Sequence, residues 1–269
     1  MRQFIVEKGK EKNGLIQLDG KDYKYLRQVL RVRNGDMISV RLPDGQLKNA
    51  TVAMVDETLR RVTLQICAET GKTITRGVQA EEAGSAATIE YWLFQFLPRP
   101  QKFELIVRQA TECGISVIVP IIGDFSEKSS AQALIGAKKE RLERIIKEAR
   151  QQSGSPVETK VEEPVSLEKA LVLWNSNETS NSVAFVLSER GDCDGNLRTR
   201  VENAGGYKKI KRAAIAVGSE GGISPEEVKT LEEKGLFVPV HFAVNILRCE
   251  TAALYGIAAV QSEINQSSL

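Results

Sequence analysis

Ala213-Ala214-Ile215-Ala216-Val217-Gly218-Ser219-Glu220-Gly221-Gly222-Ile223-Ser224-Pro225-Glu226-Glu227 runs from an apolar segment into a glycine cluster and then into a helix start. The apolar segment suits a strand buried on both faces. Ser224 reads as the N-cap, Pro225 as the first helical residue and Glu227 as the partner that completes a capping box. Gly218, Gly221 and Gly222 would let backbone N–H groups approach a ligand at the carboxyl end of a strand, where α/β sheets bind ligands. The same glycines also suit a tight turn that needs positive φ and no ligand. The stretch is neither a P-loop nor a dinucleotide fingerprint, because Gly-Lys-Ser/Thr and the G-x-G-x-x-G spacing are both missing.

Outward from this turn, strand and helix patterns alternate. Strands are predicted at Ile89–Leu97, Val117–Ile121, Val183–Leu187, Ala213–Val217 and Leu236–Val240. Helices are predicted at Lys102–Cys113, Lys138–Gln152, Ser166–Trp174, Pro225–Lys234 and about Glu250–Ile264. Such alternation implies a mostly parallel sheet covered by helices. The polar stretch Ser188–Arg212 reads as an exposed, mobile connection. Upstream, short strands at Phe4–Val6, Leu15–Leu18, Met37–Leu42, Lys48–Val55 and Arg61–Cys67 suggest a small β-barrel. One helix interrupts them, capped by Asp22 and running to about Leu30, with Lys24, Arg27 and Arg31 on a shared face. Residues 73–87 lack a period and read as a linker, with the domain boundary near residue 72.

Charge is unevenly spread along the 269 residues. Residues 1–48 hold 11 Lys/Arg against 6 Asp/Glu, while the remainder holds 26 against 29. A basic head on a slightly acidic body suggests that the head meets a polyanion, although a solvated surface gives the same imbalance. No apolar run approaches a membrane span, and the N-terminus turns charged too soon for a signal peptide. Cys67, Cys113, Cys193 and Cys249 lie far apart and His241 is the one histidine. That argues against a zinc site or a disulfide framework and fits a reducing, cytoplasmic setting.

A second motif, Val244-Asn245-Ile246-Leu247-Arg248-Cys249-Glu250-Thr251-Ala252-Ala253, follows the last predicted strand and opens the final helix. Arg248 and Glu250 stand at the mouth of the sheet, as functional groups or as an ion pair at a helix start. The two motifs together resemble the SPOUT methyltransferases, and more narrowly the ribosomal RNA small subunit methyltransferase E family. That family's G-P-E-G-G loop is matched by Gly218-Ser219-Glu220-Gly221-Gly222, and its I-L-R-x-E-T-A helix start by Ile246-Leu247-Arg248-Cys249-Glu250-Thr251-Ala252. Ile106–Ile115 and Glu148–Gly154 are similar to two further stretches of the family, and the N-terminal region resembles its PUA-like barrel.

The resemblance implies an α/β fold: a C-terminal SPOUT-type, trefoil-knotted parallel sheet preceded by a PUA-like β-barrel. It implies S-adenosyl-L-methionine as cofactor, held by Leu187, Gly218, Gly221, Gly222, Ala243, Asn245, Ile246 and Leu247. It implies a homodimer acting on N3 of a uridine in 16S ribosomal RNA of the 30S subunit, without metal or membrane. Arg248 would anchor RNA near the reacting base, and Glu220 would accept a proton or organise the loop. Lys24, Arg27 and Arg31 would bind RNA. The chain departs from the family at Gln109, Ser155, Ser219, Ala243 and Asn245, where Lys, Arg, Pro, Gly and Arg are usual. The cationic cluster Lys208, Lys209, Lys211 and Arg212 is expected to take over part of the lost grip on RNA. Another RNA target, or a non-catalytic assembly protein of the same fold, stand as alternatives.

Overall fold

The computed structural model describes residues 3–67, 89–126, 131, 137–176, 181–188 and 196–266. The expected linker at 73–87 and the boundary near residue 72 lie outside them. By contacts the chain divides into two compact units, Met1–Gly84 with Arg150–Pro156, and Ser85–Ala149 with Val157–Leu269.

The first unit contains β1 (Gln3–Ile5), β2 (Glu11–Lys12), β3 (Leu15–Leu18), α1 (Gly20–Lys24), β4 (Met37–Arg41), β5 (Leu47–Asp56) and β6 (Arg61–Ile66). They form one sheet in the order β1-β4-β5-β6-β3-β2, whose path does not close on itself among the described residues. Among the described residues of this sheet, only the β1–β4 pair is parallel. Phe4, Ile16, Leu18, Val40, Val52, Val62 and Leu64 alternate inward from the strands and pack around Leu26. Gln3 is buried among polar partners. Its Nε2 donates to the carbonyls of Arg150 (3.0 Å) and Ser155 (3.1 Å), and its Oε1 accepts from Arg41 Nε at 2.8 Å. Burial, and then repulsion from Arg150, lower the pKa of Arg41. Ser155 is itself buried, and its hydroxyl has no hydrogen-bond partner. This departure from the family is thus an interior position and not a missing surface cation.

The helix of this unit corrects the sequence expectation. Asp19, not Asp22, is its N-cap. After Lys24 it widens into a π-helical turn, Tyr25–Val29, with Leu30 N–H bonded to Tyr25 C=O at 3.1 Å. Arg31 then takes a left-handed φ of 55°. Lys24, Arg27 and Arg31 therefore do not share one α-helical face. Arg27 is also engaged, donating to Val32 C=O at 2.7 Å and to Glu57 at 2.8 Å. Lys24 and Arg31 are the exposed cations of the three.

The second unit contains β7 (Glu90–Phe96), α2 (Pro100–Glu112), β8 (Val117–Ile122), α3 (Ala137–Ser153), β9 (Lys160–Val161), β10 (Val165–Ser166), α4 (Leu167–Asn175) and β11 (Ser182–Leu187). It continues with α5 (Leu197–Asn203), α6 (Gly206–Lys209), β12 (Arg212–Val217), α7 (Pro225–Gly235), β13 (Val238–Val240) and α8 (Cys249–Gln266). The last turn of α3, from Arg150, belongs to the first unit. The strands are all parallel, in the order β10-β8-β7-β12-β11-β13, with β9 also on β8. Residues of α2, α3, α5 and α8 fill one face against Leu93, Ile118, Phe185 and Ile215. Residues of α4 and α7 fill the other against Phe94, Val119, Val186 and Ala216. Every residue of β12 is consequently buried.

Two expectations fail in the Ser188–Arg212 stretch. Residues 196–209, within the expected mobile connection, include α5 and α6. Asn196 caps α5, and Leu197, Val201 and Ile210 are buried. Arg212 is not available to RNA. Its guanidinium carbon lies 4.1 Å from the Trp174 ring centre and 4.9 Å from that of Trp92, with Glu90 at 3.7 Å. Lys208, Lys209 and Lys211 are exposed, but they precede the amino end of β12. The glycine turn follows its carboxyl end, so a strand of about 17 Å at roughly 3.3 Å per residue separates them. Arg212→Met should cost about 2–3 kcal/mol in urea unfolding, from the lost cation–π contacts and the orphaned Trp174 carbonyl. Joint alanine substitution of Lys208, Lys209 and Lys211 should stay within about 0.5 kcal/mol each.

Candidate functional site

The parallel order of β11, β12 and β13 brings three segments together at their carboxyl ends: Leu187–Ser188, Gly218–Gly222 and His241–Arg248. With α2 and the loop after β8 they enclose a cavity of about 710 Å³. Leu187, Gly218, Glu220, Gly221, Gly222, Asn245, Ile246, Leu247 and Arg248 all line it. Ala243 does not, although its neighbours Phe242 and Val244 do. Lys102, Phe125 and His241 also line the cavity and were not legible as site residues in the sequence. Lys102 comes from the first turn of α2, far along the chain, and no local motif marks it.

The glycines are required for three different reasons. A Cβ on Gly218 would lie 2.7 Å from the Gly222 carbonyl carbon, so the turn itself excludes it. A Cβ on Gly221 would lie 2.7 Å from Phe125 Cβ. Only Gly222 faces open space, and its φ of 80° is what demands glycine there. Ser219, where the family usually has proline, donates its hydroxyl to Phe125 C=O at 3.0 Å. Its carbonyl accepts from Gly222 N–H at 3.1 Å. Gln95 is fully buried, and its amide donates to the carbonyls of Phe96 (2.9 Å), Val217 (3.3 Å) and Gly218 (3.0 Å). The expected capping box is present: Ser224 Oγ accepts from Glu227 N–H, and the Glu227 carboxylate accepts from Ser224 N–H in the first turn of α7.

A charged cluster stands at the cavity's edge. Lys102 Nζ lies 3.5 Å from Glu220 and 3.4 Å from Glu250. Glu220 also accepts from Arg99 N–H at 3.3 Å. Burial would lower the pKa of Lys102, but Cys249, Glu220 and Glu250 together raise it. Burial would raise that of Glu250, but its own backbone N–H, the Cys249 thiol and Lys102 hold it below the usual carboxylate range. Glu250 thus pairs with Lys102 and not with Arg248, contrary to the simple ion-pair reading. Arg248 is exposed and makes no ion pair among the described residues; its carbonyl starts α8 by accepting from Thr251 (2.9 Å) and Ala252 (2.7 Å). Among the described residues no three His, Cys, Asp or Glu side chains group as metal ligands, and no helix is long and apolar enough to cross a membrane.

A glycine turn at the mouth of an all-parallel sheet, beside a charged cluster, places the protein in the class of α/β folds that bind ligands at strand carboxyl ends. Its relatives narrow the class. The family model described as RNA methyltransferase domain matches residues 85–261, and the chain belongs to that family. Over its full length it is similar to the ribosomal RNA small subunit methyltransferase E proteins. That of Borreliella burgdorferi, named ribosomal RNA small subunit methyltransferase E 2, is 26% identical over 261 residues, 96% of each chain. The Neisseria gonorrhoeae enzyme, solved bound to S-adenosyl methionine, superposes with a TM-score of 0.71 at 22% identity and covers 97% of each chain. A Legionella pneumophila methyltransferase, solved with the same cofactor, gives 0.72 at 19% identity, again over 97% of each chain. The solved structures share the fold.

Burial, followed by the hydrogen bond to Glu250, pushes the Cys249 thiol up to about 12, against the pull of Lys102. Between about 8.5, the ordinary thiol value, and that level, the unfolded chain releases a proton that the folded chain keeps. Stability should therefore fall as pH rises through this window. Cys249→Ser should remove this part of the fall, read from urea unfolding at about pH 8 and about pH 10.5.

Proposed function

We propose that this chain uses S-adenosyl-L-methionine to methylate N3 of a uridine in 16S ribosomal RNA. The observation that carries the proposal is the cavity formed by Leu187, the Gly218–Gly222 turn and Asn245–Leu247. Its volume of about 710 Å³ suits a nucleoside-sized ligand. Its lining fits the cofactor: backbone of the glycine turn on one side, Leu187, Val244 and Ile246 as apolar contact, and Gly222 with open space where a side chain would intrude. When bound, the cofactor supplies an electrophilic methyl group on a sulfonium.

The chain's own residues then have to bind the base, orient it and remove its N3 proton, because uridine N3 is protonated at neutral pH. A paired base must also leave its helix to reach the cavity. Glu220 is assigned as proton acceptor and Arg248, exposed and uncommitted to an ion pair among the described residues, as the RNA anchor beside it. Lys24 and Arg31 of the first unit, whose PUA-like character follows from the family resemblance, contact RNA phosphates. The trefoil knot, the homodimer with RNA across both subunits, and cytoplasmic action on the 30S particle belong to the same reading.

Calorimetry should show one molecule of S-adenosylmethionine bound per chain. Asn245→Trp, which fills the cavity from an exposed loop, should abolish binding without loss of thermal stability. Mass mapping of 16S RNA from a strain lacking the gene should show one uridine short of a methyl group. Loss of a methyl from transfer RNA or 23S RNA instead would favour another target, and absence of cofactor binding would favour a non-catalytic RNA-binding protein.

Reversal of Lys24 or Arg31 to Glu should lower the slope of log affinity against log salt by about one per lost phosphate contact. Arg27→Glu should instead destabilise the first unit, since its guanidinium holds Val32 C=O and Glu57. Filter binding at several salt concentrations, with urea unfolding of each variant, separates the two behaviours.

A further inference from the structure

The Lys102 cluster contains one more carboxylate than it can neutralise. A single ammonium faces Glu220 at 3.5 Å and Glu250 at 3.4 Å, and Cys249 beside them is a neutral thiol at ordinary pH. The two carboxylates are not equivalent. Glu250 is the more buried, 15% exposed against 32% for Glu220, and it accepts from the Cys249 thiol at 3.2 Å. Glu250 is thus the fixed partner of Lys102. Glu220, on the glycine turn and lining the cavity, is the partner that a bound base can reach. The backbone N–H of Arg99 also reaches Glu220, and Arg248 and His241 are the other charged or titratable residues that line the cavity.

We propose that Lys102 is a catalytic residue that pairs with the ionised imide of the target base while Glu220 holds the proton taken from it. This rests on the uridine-methylation reading above. In the step, the N3–H bond breaks and its electron pair stays on the base, delocalised over N3 and the flanking oxygens. The proton goes to a Glu220 oxygen. Before transfer the charges are Glu220 and Glu250 negative, Lys102 positive and the base neutral. After it they are Glu250 and the base negative, Lys102 positive and Glu220 neutral. The net charge of the corner stays the same, and Lys102 exchanges one anionic partner for another without moving far. Proton transfer in a half-buried site is thereby spared the cost of creating a new unpaired charge. The nitrogen left as an anion is the nucleophile that methylation needs.

The test uses the full-length protein, Lys102→Met and Lys102→Arg, with 30S subunits from a strain lacking the gene. Single-turnover methylation at saturating S-adenosylmethionine is followed against pH. Loss of the ammonium should move the rising limb of the rate upward by about one to two pH units, since an opposite charge at this range favours ionisation by that much. At neutral pH the rate should then fall roughly 10–100-fold, and Lys102→Arg should recover most of it. A second readout needs no turnover: binding, without cofactor, of 30S subunits from cells grown on 5-fluorouracil, whose imides ionise nearer neutrality. Glu220→Gln, which carries a neutral side chain like the protonated carboxyl, should bind these subunits more tightly as pH rises, and adding Lys102→Met to it should lose that dependence. Lys102→Arg, which keeps the positive charge beside Glu250, should stay close to wild type in melting temperature.

A Lys102→Met profile parallel to wild type at a uniformly lower rate, with pH-dependent binding retained when Lys102→Met is added to Glu220→Gln, would overturn the proposal and leave Lys102 a structural ion pair. Wild-type protein that binds the cofactor but leaves every uridine of the 30S subunit unmethylated would overturn the uridine reading, and this inference with it.

Discussion

The two oxygens of the Glu227 carboxylate each take a backbone N–H, from Asp124 at 2.8 Å and from Ser224 at 2.9 Å, and the geometry of the cavity depends on that pair. One side chain caps α7 and clamps the loop that follows β8. Ser224 Oγ adds a bond to Asp124 at 2.6 Å, and Ser219 ties the turn to Phe125 C=O. A Cβ on Gly123 would come within 2.4 Å of Glu227, so glycine is required where the loop passes the carboxylate. The glycine turn is thus held from outside by a neighbouring loop. It does not depend on a rigid sequence of its own, and this accounts for the tolerance of serine at a position where relatives usually carry proline.

The basic residues of this chain are used in two different ways. Arg212 between two tryptophans, Arg41 on Gln3 and Arg27 on Val32 and Glu57 are structural cations. Each satisfies buried or half-buried acceptors that would otherwise be left unpaired. Arg248, Lys24 and Arg31 are exposed. A tally of charge by segment cannot separate the two groups, since both contribute equally to it. The same holds for Ser155, whose place in the family pattern suggested a lost surface contact and whose side chain is interior.

Local sequence carried the sheet and most of its helices. The capping box at Ser224, the apolar run of β12 and the stripe Leu142, Ile145 and Ala149 of α3 all specify their structure within a few residues, and each expected element of the second unit formed within two residues of its predicted bounds. α5 escaped notice because two apolar residues four apart, Leu197 and Val201, give too short a period to stand out in a polar stretch. The π-helical turn after Lys24 escaped it because side-chain spacing is read on a 3.6-residue period, and a wider turn shifts every later residue off the face.

By itself the sequence determined the alternation of strands and helices, the glycine turn with its cap, and the family, since each rests on short-range propensity or contiguous motifs. Tertiary structure alone decided strand order, and with it the placing of β12 between β7 and β11, which is why the loops after three strands meet in one cavity. It also decided that Lys102, from a helix more than a hundred residues upstream, faces Glu220 and Glu250. Hydrogen bonding and Coulomb attraction act over a few ångströms in space regardless of separation along the chain, so no local pattern could have announced that meeting.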